Sequence, residues 1–261
     1  MPFTPSHAVI ALPFLRTPLI PAAIAIGAMT PDLPLFTRNL PVPYPRTHDL
    51  LWLPVTGVLA LVLLLIWRCV LRPAARELAP RWLAARLPEG WDSDARASLR
   101  ETLPPRAGAI VLLASSLALG VASHILWDQF THEGRWGVQL IPALGQQWGP
   151  LTGYKWLQHG SSAIGLAILG VWMIVWLSRR AAAAPITRVV SDGVRWAWWL
   201  SLPILLVGGW LWGLAVFGPI THEWTIAHLA YRVLPPACGI WGAVTLGLCI
   251  AVQWRRRRIT R

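Results

Sequence analysis

The chain has 261 residues, 55% of them hydrophobic and only 13% charged, where an average soluble domain carries roughly 25% charged residues. So little charge excludes a surface wetted on all sides, and the formal charge of +12 accompanies no nucleic-acid-binding motif, so no nucleic-acid partner is expected. Three cysteines without a CxxC spacing exclude a disulfide framework and a thiolate metal site.

From the N-terminus, Thr4 followed by Pro5 is a cap and first-turn pair for a helix, and Pro21 opens a second after the break at Arg16 to Pro18. Two half-length helices, over residues 5–15 and 21–29, predict a re-entrant hairpin. Irregular backbone is tolerated at membrane depth where protein buries it. A single tilted crossing over residues 7–27 is the alternative, and it would separate His7 from Asp32. With no basic n-region and a broken apolar stretch, this segment does not read as a cleaved signal peptide.

Five apolar runs follow, at residues 50–70, 107–127, 160–177, 196–217 and 237–254. Each is long enough for a hydrocarbon core of about 30 Å. Tryptophans such as Trp52, Trp127, Trp156, Trp196 and Trp254 mark their ends, as amphipathic rings do at the headgroup level. The expected architecture is all-α: one integral membrane domain over 1–261, made of an N-terminal hairpin and outer segment (1–49), a five-span bundle (50–254) and a basic tail (255–261).

Basic residues alternate across these spans. Seventeen of the twenty-three lie in the connections at 68–106 and 179–195 and in the C-terminal tail, and six, including Arg38 and Lys155, fall on the other side. The positive-inside rule makes the seventeen cytoplasmic. A multi-pass protein of a bacterial inner membrane, with a cytoplasmic C-terminus and the lipid bilayer as its standing partner, is the expectation. All seven histidines then fall on the non-cytoplasmic side, provided that residues 1–49 begin and end there. That face is read as the working face.

The sharpest constellation is His124, Asp128 and His132, in the run Ser-His-Ile-Leu-Trp-Asp-Gln-Phe-Thr-His-Glu-Gly. Steps of four residues stack these side chains one helical turn apart. An imidazole and a carboxylate so placed can share a divalent metal. Asp32, in Thr-Pro-Asp-Leu-Pro, His48 beside Asp49, and His7 sit at the same predicted face, and together they supply the donor types of a hydrolytic zinc site. Asp49, His132 and Glu133 are read as residues that orient ligands or take part in proton transfer. Tyr154, Lys155, Gln158 and His159 form a polar lip suited to an anionic or phosphorylated headgroup, with the anchoring of a helix end as the plainer reading. His222, Glu223 and His228 lack the HExxH spacing and read as a solvated loop.

The opening Met-Pro-Phe-Thr-Pro-Ser-His, then Gly-Ala-Met-Thr-Pro-Asp-Leu-Pro from Gly27, Thr47-His48, the run from Ser123 to His132, and Tyr-Lys-Trp-Leu-Gln-His-Gly-Ser-Ser from Tyr154 resemble the domain-of-unknown-function 4184 family. That family is distantly similar to inner-membrane metal-dependent hydrolases of the YdjM type, which share an early His, a Pro-Asp, a Thr-His and an HxxxD followed by Thr. The resemblance implies His7, Asp32, His48, His124 and Asp128 as metal ligands. Where those proteins continue Thr-His with Ser, this chain has Asp49, which puts the role of that segment in question.

The function expected is metal-dependent hydrolysis of a phosphoester or similar bond, with zinc as the expected divalent ion and a site at headgroup level that favours a lipid-linked or phosphorylated substrate. A metal-handling transporter and an inert membrane scaffold are the rivals. Transport is disfavoured because the first, third, fourth and fifth spans carry few polar groups and no mid-span carboxylate to relay protons or ions.

Overall fold

The computed structural model describes residues 3–37, 41–183 and 188–259; Arg38 and Arg261, counted above among the basic residues, lie outside them. The protein is nearly all α-helical, and among the described residues five helical stretches are long and apolar enough to cross a membrane: Leu50–Leu78, Ala107–Thr131, Gly153–Ser178, Asp192–Phe217 and Ile226–Ile259. All five outrun the predicted spans. A reading by apolar run stops at the first polar residue, whereas the backbone ladder continues for as long as nothing breaks it. The last helix starts at Ile226 and carries Pro235 and Pro236 inside it.

The chain divides into two compact units. The first comprises Met1–Leu33, Val42–Leu65 and Arg100–Arg180. It opens with a 3₁₀ helix, Thr4–Phe14, followed by α1, Pro21–Met29. The expected pair of half-helices is therefore present, but the first winds as a 3₁₀ helix. Its three-residue period puts Thr4 and His7 on one edge. After a short turn α1 packs back along it, and Thr30–Asp32 returns to the level of Thr4.

Tyr44–Thr47 and then α2, Leu53–Ile66, follow in this unit, with α3, Arg72–Leu78, continuing the helical path into the second. Helix α4, Ala107–Thr131, buries Leu113, Leu117, Gly120, Val121, His124 and Asp128. Each has a neighbour three or four residues away in this set, so together they form one stripe. The stripe faces α1, where glycine meets glycine: a Cβ on Gly27 would lie 2.5 Å from the Leu117 carbonyl oxygen, and one on Gly120 only 2.2 Å from that of Ile24. Small residues at such a crossing let two backbones approach. Ser116 joins the crossing by accepting the Ile20 N–H at 2.9 Å.

Past α4, Gly134 turns the chain with φ of 72°. A short hairpin then pairs β1, Gln147–Trp148, with β2, Leu151–Thr152. Gly149 takes the positive φ that its two-residue turn requires. Helix α5, Gly153–Ser178, closes the unit.

The second unit comprises Pro34–Pro41, Ile66–Leu99 and Ala181–Arg261, with α6, Asp192–Phe217, packed on α7, Ile226–Ile259. Ala74, Leu78, Val190, Cys249 and Val252 make its core. Glu77, fully buried, accepts the backbone N–H groups of Val189 and Val190 at 3.0 Å each and an Arg256 N–H at 3.2 Å. Arginines that the sequence offers only as topology signals thus also knit this unit together. His228, expected in a solvated loop, lies in the first turn of α7, where its Nδ1 accepts the Thr225 N–H at 3.2 Å.

Candidate metal centre

Four side chains from three segments of the first unit converge: Asp32 from the Thr30–Asp32 turn, His48 after Tyr44–Thr47, and His124 and Asp128 from α4. His124 Nε2 and His48 Nε2 stand 3.2 Å apart. Asp128 Oδ2 lies 3.5 Å from each of them, and Asp32 Oδ1 lies 3.6 Å from His48 and 3.7 Å from His124. All four residues are buried.

The outer atoms of each imidazole fix which nitrogen carries its proton. His124 Nδ1 is 2.7 Å from the carbonyl oxygen of Ala28, and His48 Nδ1 is 3.0 Å from that of Tyr44. Carbonyls only accept, so each Nδ1 donates, and each Nε2 is left to face the other ring and the two carboxylates. This is the usual arrangement of metal-binding histidines, which give their other N–H to a carbonyl or carboxylate. Thr47, also buried, donates its hydroxyl to the Pro31 carbonyl at 2.7 Å and touches His48 Nδ1 at 3.2 Å, so it pins the His48 loop to the Asp32 segment. The Tyr44 ring lies against the His48 ring with centroids 3.9 Å apart.

Two carboxylates beside two imidazoles in a buried space need a compensating positive charge, because burying such charge uncompensated is costly. A divalent cation neutralises two carboxylates. The distances around the imidazoles suit a shared ion: ligands with bonds of about 2.0–2.2 Å stand about 3.3–3.6 Å apart in a tetrahedral set, and the five imidazole–imidazole and imidazole–carboxylate separations run from 3.2 to 3.7 Å.

His7 adjoins this cluster. Its ring stacks on that of His124 with centroids 4.1 Å apart, and its Nε2 is buried without a hydrogen-bond partner among the described residues. His7, Asp32 and His124 offer donor atoms within 4.8 Å of one another, as do His48, His124 and Asp128. Burial, and then the neighbouring His124, push the His7 imidazole down to about 4, which leaves it in the neutral form a metal requires. Burial works the other way on Asp32, but the bonds from His48 and Thr4 and the charge of His124 outweigh it and hold the carboxyl below its ordinary range. The Thr4 hydroxyl donates to Asp32 Oδ2 at 2.6 Å, which leaves Oδ1 to face the histidines.

Asp128 serves two neighbours. Its second oxygen, Oδ1, stands 3.5 Å from His132 Nδ1, and the side-chain nitrogen of Gln158 lies 3.1 Å from His132 Nε2. The Gln158 amide donates there, so the His132 proton sits on Nδ1, toward Asp128. Burial lowers the His132 pKa, with Asp128 opposing the shift. Tyr154 donates to Glu133 Oε2 at 3.3 Å. The structure therefore brings Tyr154 and Gln158 inward to Glu133 and His132, while Lys155 and His159, on the other face of the same helix, are exposed. Asp49 is used locally: it accepts the Leu51 N–H at 2.9 Å and starts the next helical turn.

Thr4, Tyr44 and the Ala28 carbonyl are the functional groups that sequence reading misses. Thr4 carried one usable signal, its place three residues before His7. The carbonyls carried none, because a backbone acceptor leaves no mark on residue type.

The family model described as Domain of unknown function (DUF4184) matches residues 1–254. No curated protein and no solved structure matches the chain.

Proposed function

The chain belongs to the DUF4184 family, and we propose that it is a membrane-embedded, divalent-metal-dependent hydrolase of phosphoesters, working at the non-cytoplasmic face of a bacterial inner membrane. The observation that carries this reading is the pair of imidazole Nε2 atoms 3.2 Å apart, each with its Nδ1 committed to a carbonyl and both flanked by Asp32 and Asp128. His48, His124, Asp32 and Asp128 would hold the ion, and His7 offers a fifth donor. A divalent ion there, zinc by its donor set, supplies a Lewis acid for a phosphoryl oxygen and eases deprotonation of water.

The remaining chemistry belongs to the chain. Hydrolysis adds water oxygen to phosphorus, breaks the ester P–O bond and moves one proton to the departing alkoxide. His132 is the group suited to carry that proton: burial disfavours its charged form, its Nε2 accepts the proton once the Gln158 amide releases that nitrogen, and Asp128 Oδ1 beside its Nδ1 would stabilise the imidazolium. Gln158 holds the ring in place.

Wild-type protein purified in detergent, chelated and reloaded, is expected to bind about one zinc or similar ion per chain and to hydrolyse a generic aryl phosphoester only when loaded. Protein that takes up no metal under any loading condition, or hydrolyses equally well with and without it, would overturn the reading.

Orientation rests on the arginines. Single cysteines replacing Gln146 and Glu89, both exposed, in a chain cleared of its native cysteines, should react with an impermeant thiol reagent on intact cells at position 146 and not at position 89. The reverse pattern would turn the protein over and place the site in the cytoplasm.

A further inference from the structure

A cleft of about 680 Å³ runs along α5 in the first unit, between the 3₁₀ helix, the outer end of α4 and the Gln147–Thr152 hairpin. Ser6 and His7 of the 3₁₀ helix line it, Ser6 packing beside Gly165, and its α5 wall runs through Gly160, Ile164 and Ile168. These three residues are one turn apart, so the wall extends about 12 Å along the helix from Gly160, inside a stretch apolar enough to lie in hydrocarbon. Ile164 and Ile168 are 62% and 46% exposed. The cleft has a built rim: Trp127 donates its indole N–H to Ser161 at 3.2 Å, and Trp156 donates to the Trp148 carbonyl at 2.8 Å.

We propose that this cleft holds the hydrocarbon tail of a phosphate-bearing lipid whose headgroup lies beside His7, against the candidate metal centre. Three features select that occupant. The cleft is continuous with the centre through His7, which both lines it and stacks on His124. Its lining sets Ser6, His7 and the tryptophan rim beside isoleucines that lie at membrane depth, the combination of polar and apolar surface that a lipid needs. Lys155, exposed in the first turn of α5 next to the rim residue Trp156, puts a cation complementary to a phosphate beside the rim. The proposal rests on the hydrolase reading for the placement of the headgroup, while the tail site stands on the cleft alone.

Gly160 makes the test clean. A Cβ added there meets nothing within 4 Å, so the side chain of Gly160→Leu starts in open space on the wall of the cleft. Gly170, further along the same helix, also meets nothing and does not line the cleft, so Gly170→Leu is the control. Purified protein would be reconstituted in phosphatidylcholine vesicles doped with a phosphatidic acid that carries a photoreactive diazirine in its acyl chain. After illumination, the cross-linked peptides would be mapped by mass spectrometry and bound metal measured in the same samples.

Labelling is expected on residues 156–168, competed by unlabelled phosphatidic acid and not by diacylglycerol of the same chain length. It should fall about tenfold in Gly160→Leu and stay at the wild-type level in Gly170→Leu, with metal content equal in all three. Labelling that diacylglycerol competes equally would mean bulk lipid in the cleft and overturn the proposal. So would wild-type labelling in Gly160→Leu, or cross-links confined to other segments. Competed labelling of the cleft in protein that holds no metal would support the lipid site and overturn the metal reading alone.

Discussion

Alanine at His124 or Asp128 is expected to abolish metal retention while leaving the protein in the membrane. Both side chains are buried, and each faces the other donors with the atom it would offer an ion. Removing either leaves three of the four converging donors, and removing His124 also leaves the Ala28 carbonyl without its donor. Metal affinity should drop by more than about 100-fold, above the roughly 10–100-fold typical of groups that only orient ligands. His132→Ala is the internal comparison. Its ring touches Asp128 through the oxygen that faces away from the cluster, so its effect should stay within that 10–100-fold band on affinity, with a larger loss of turnover than of metal. Elemental analysis of each variant after mild chelation and reloading, beside turnover of the same samples, provides the measurement. Equal metal in wild type, His124→Ala and Asp128→Ala would mean that the buried cluster holds no ion and that protons neutralise it instead.

Why His124 and Asp128 were legible while their surroundings were not follows from the range of the interactions. A four-residue step on one helix is a local fact, and the structure keeps both side chains on the buried stripe of α4. That His7 and Asp32 come together also has a local cause, the break at Arg16 to Pro18, which folds the N-terminal segment back on itself. The convergence of His48 with His124, seventy-six residues apart in sequence, has none. It depends on Thr47 binding the Pro31 carbonyl, a contact that no periodicity announces. Helix type was obscured for a similar reason: Pro5 and Pro13 suit several helical windings, and the 3₁₀ form is identified only by the neighbours that Thr4 and His7 meet. The Tyr154 to His159 lip was read as one polar patch, but helix rotation splits it, sending Tyr154 and Gln158 in and Lys155 and His159 out.

Gly120→Ala should be among the most damaging single-methyl changes in the first unit, although Gly120 bears no chemistry. The added Cβ would stand 2.2 Å from the Ile24 carbonyl oxygen and 2.8 Å from the Ala28 backbone nitrogen. Both are main-chain atoms and cannot swing aside, so α1 must move away from α4. Ala28 moves with it, and its carbonyl is the acceptor that fixes the His124 ring. Overpacking of a tight core costs roughly 1–3 kcal/mol, and a clash with backbone on both sides belongs at about 3 kcal/mol, a fall of about 5–10 °C in Tm for a chain of this size. Gly108→Ala controls for the helix itself: on the same helix, its Cβ meets nothing within 4 Å, and alanine for an open helical glycine is neutral or gains up to about 1 kcal/mol. Thermal unfolding in one detergent should therefore show Gly120→Ala well below wild type and Gly108→Ala at or above it. Metal retention should fall in the first variant only. If Gly120→Ala melts with wild type and keeps its metal, the glycine crossing does not position His124, and the rigidity assigned to the candidate centre would have to come from the His48 loop alone.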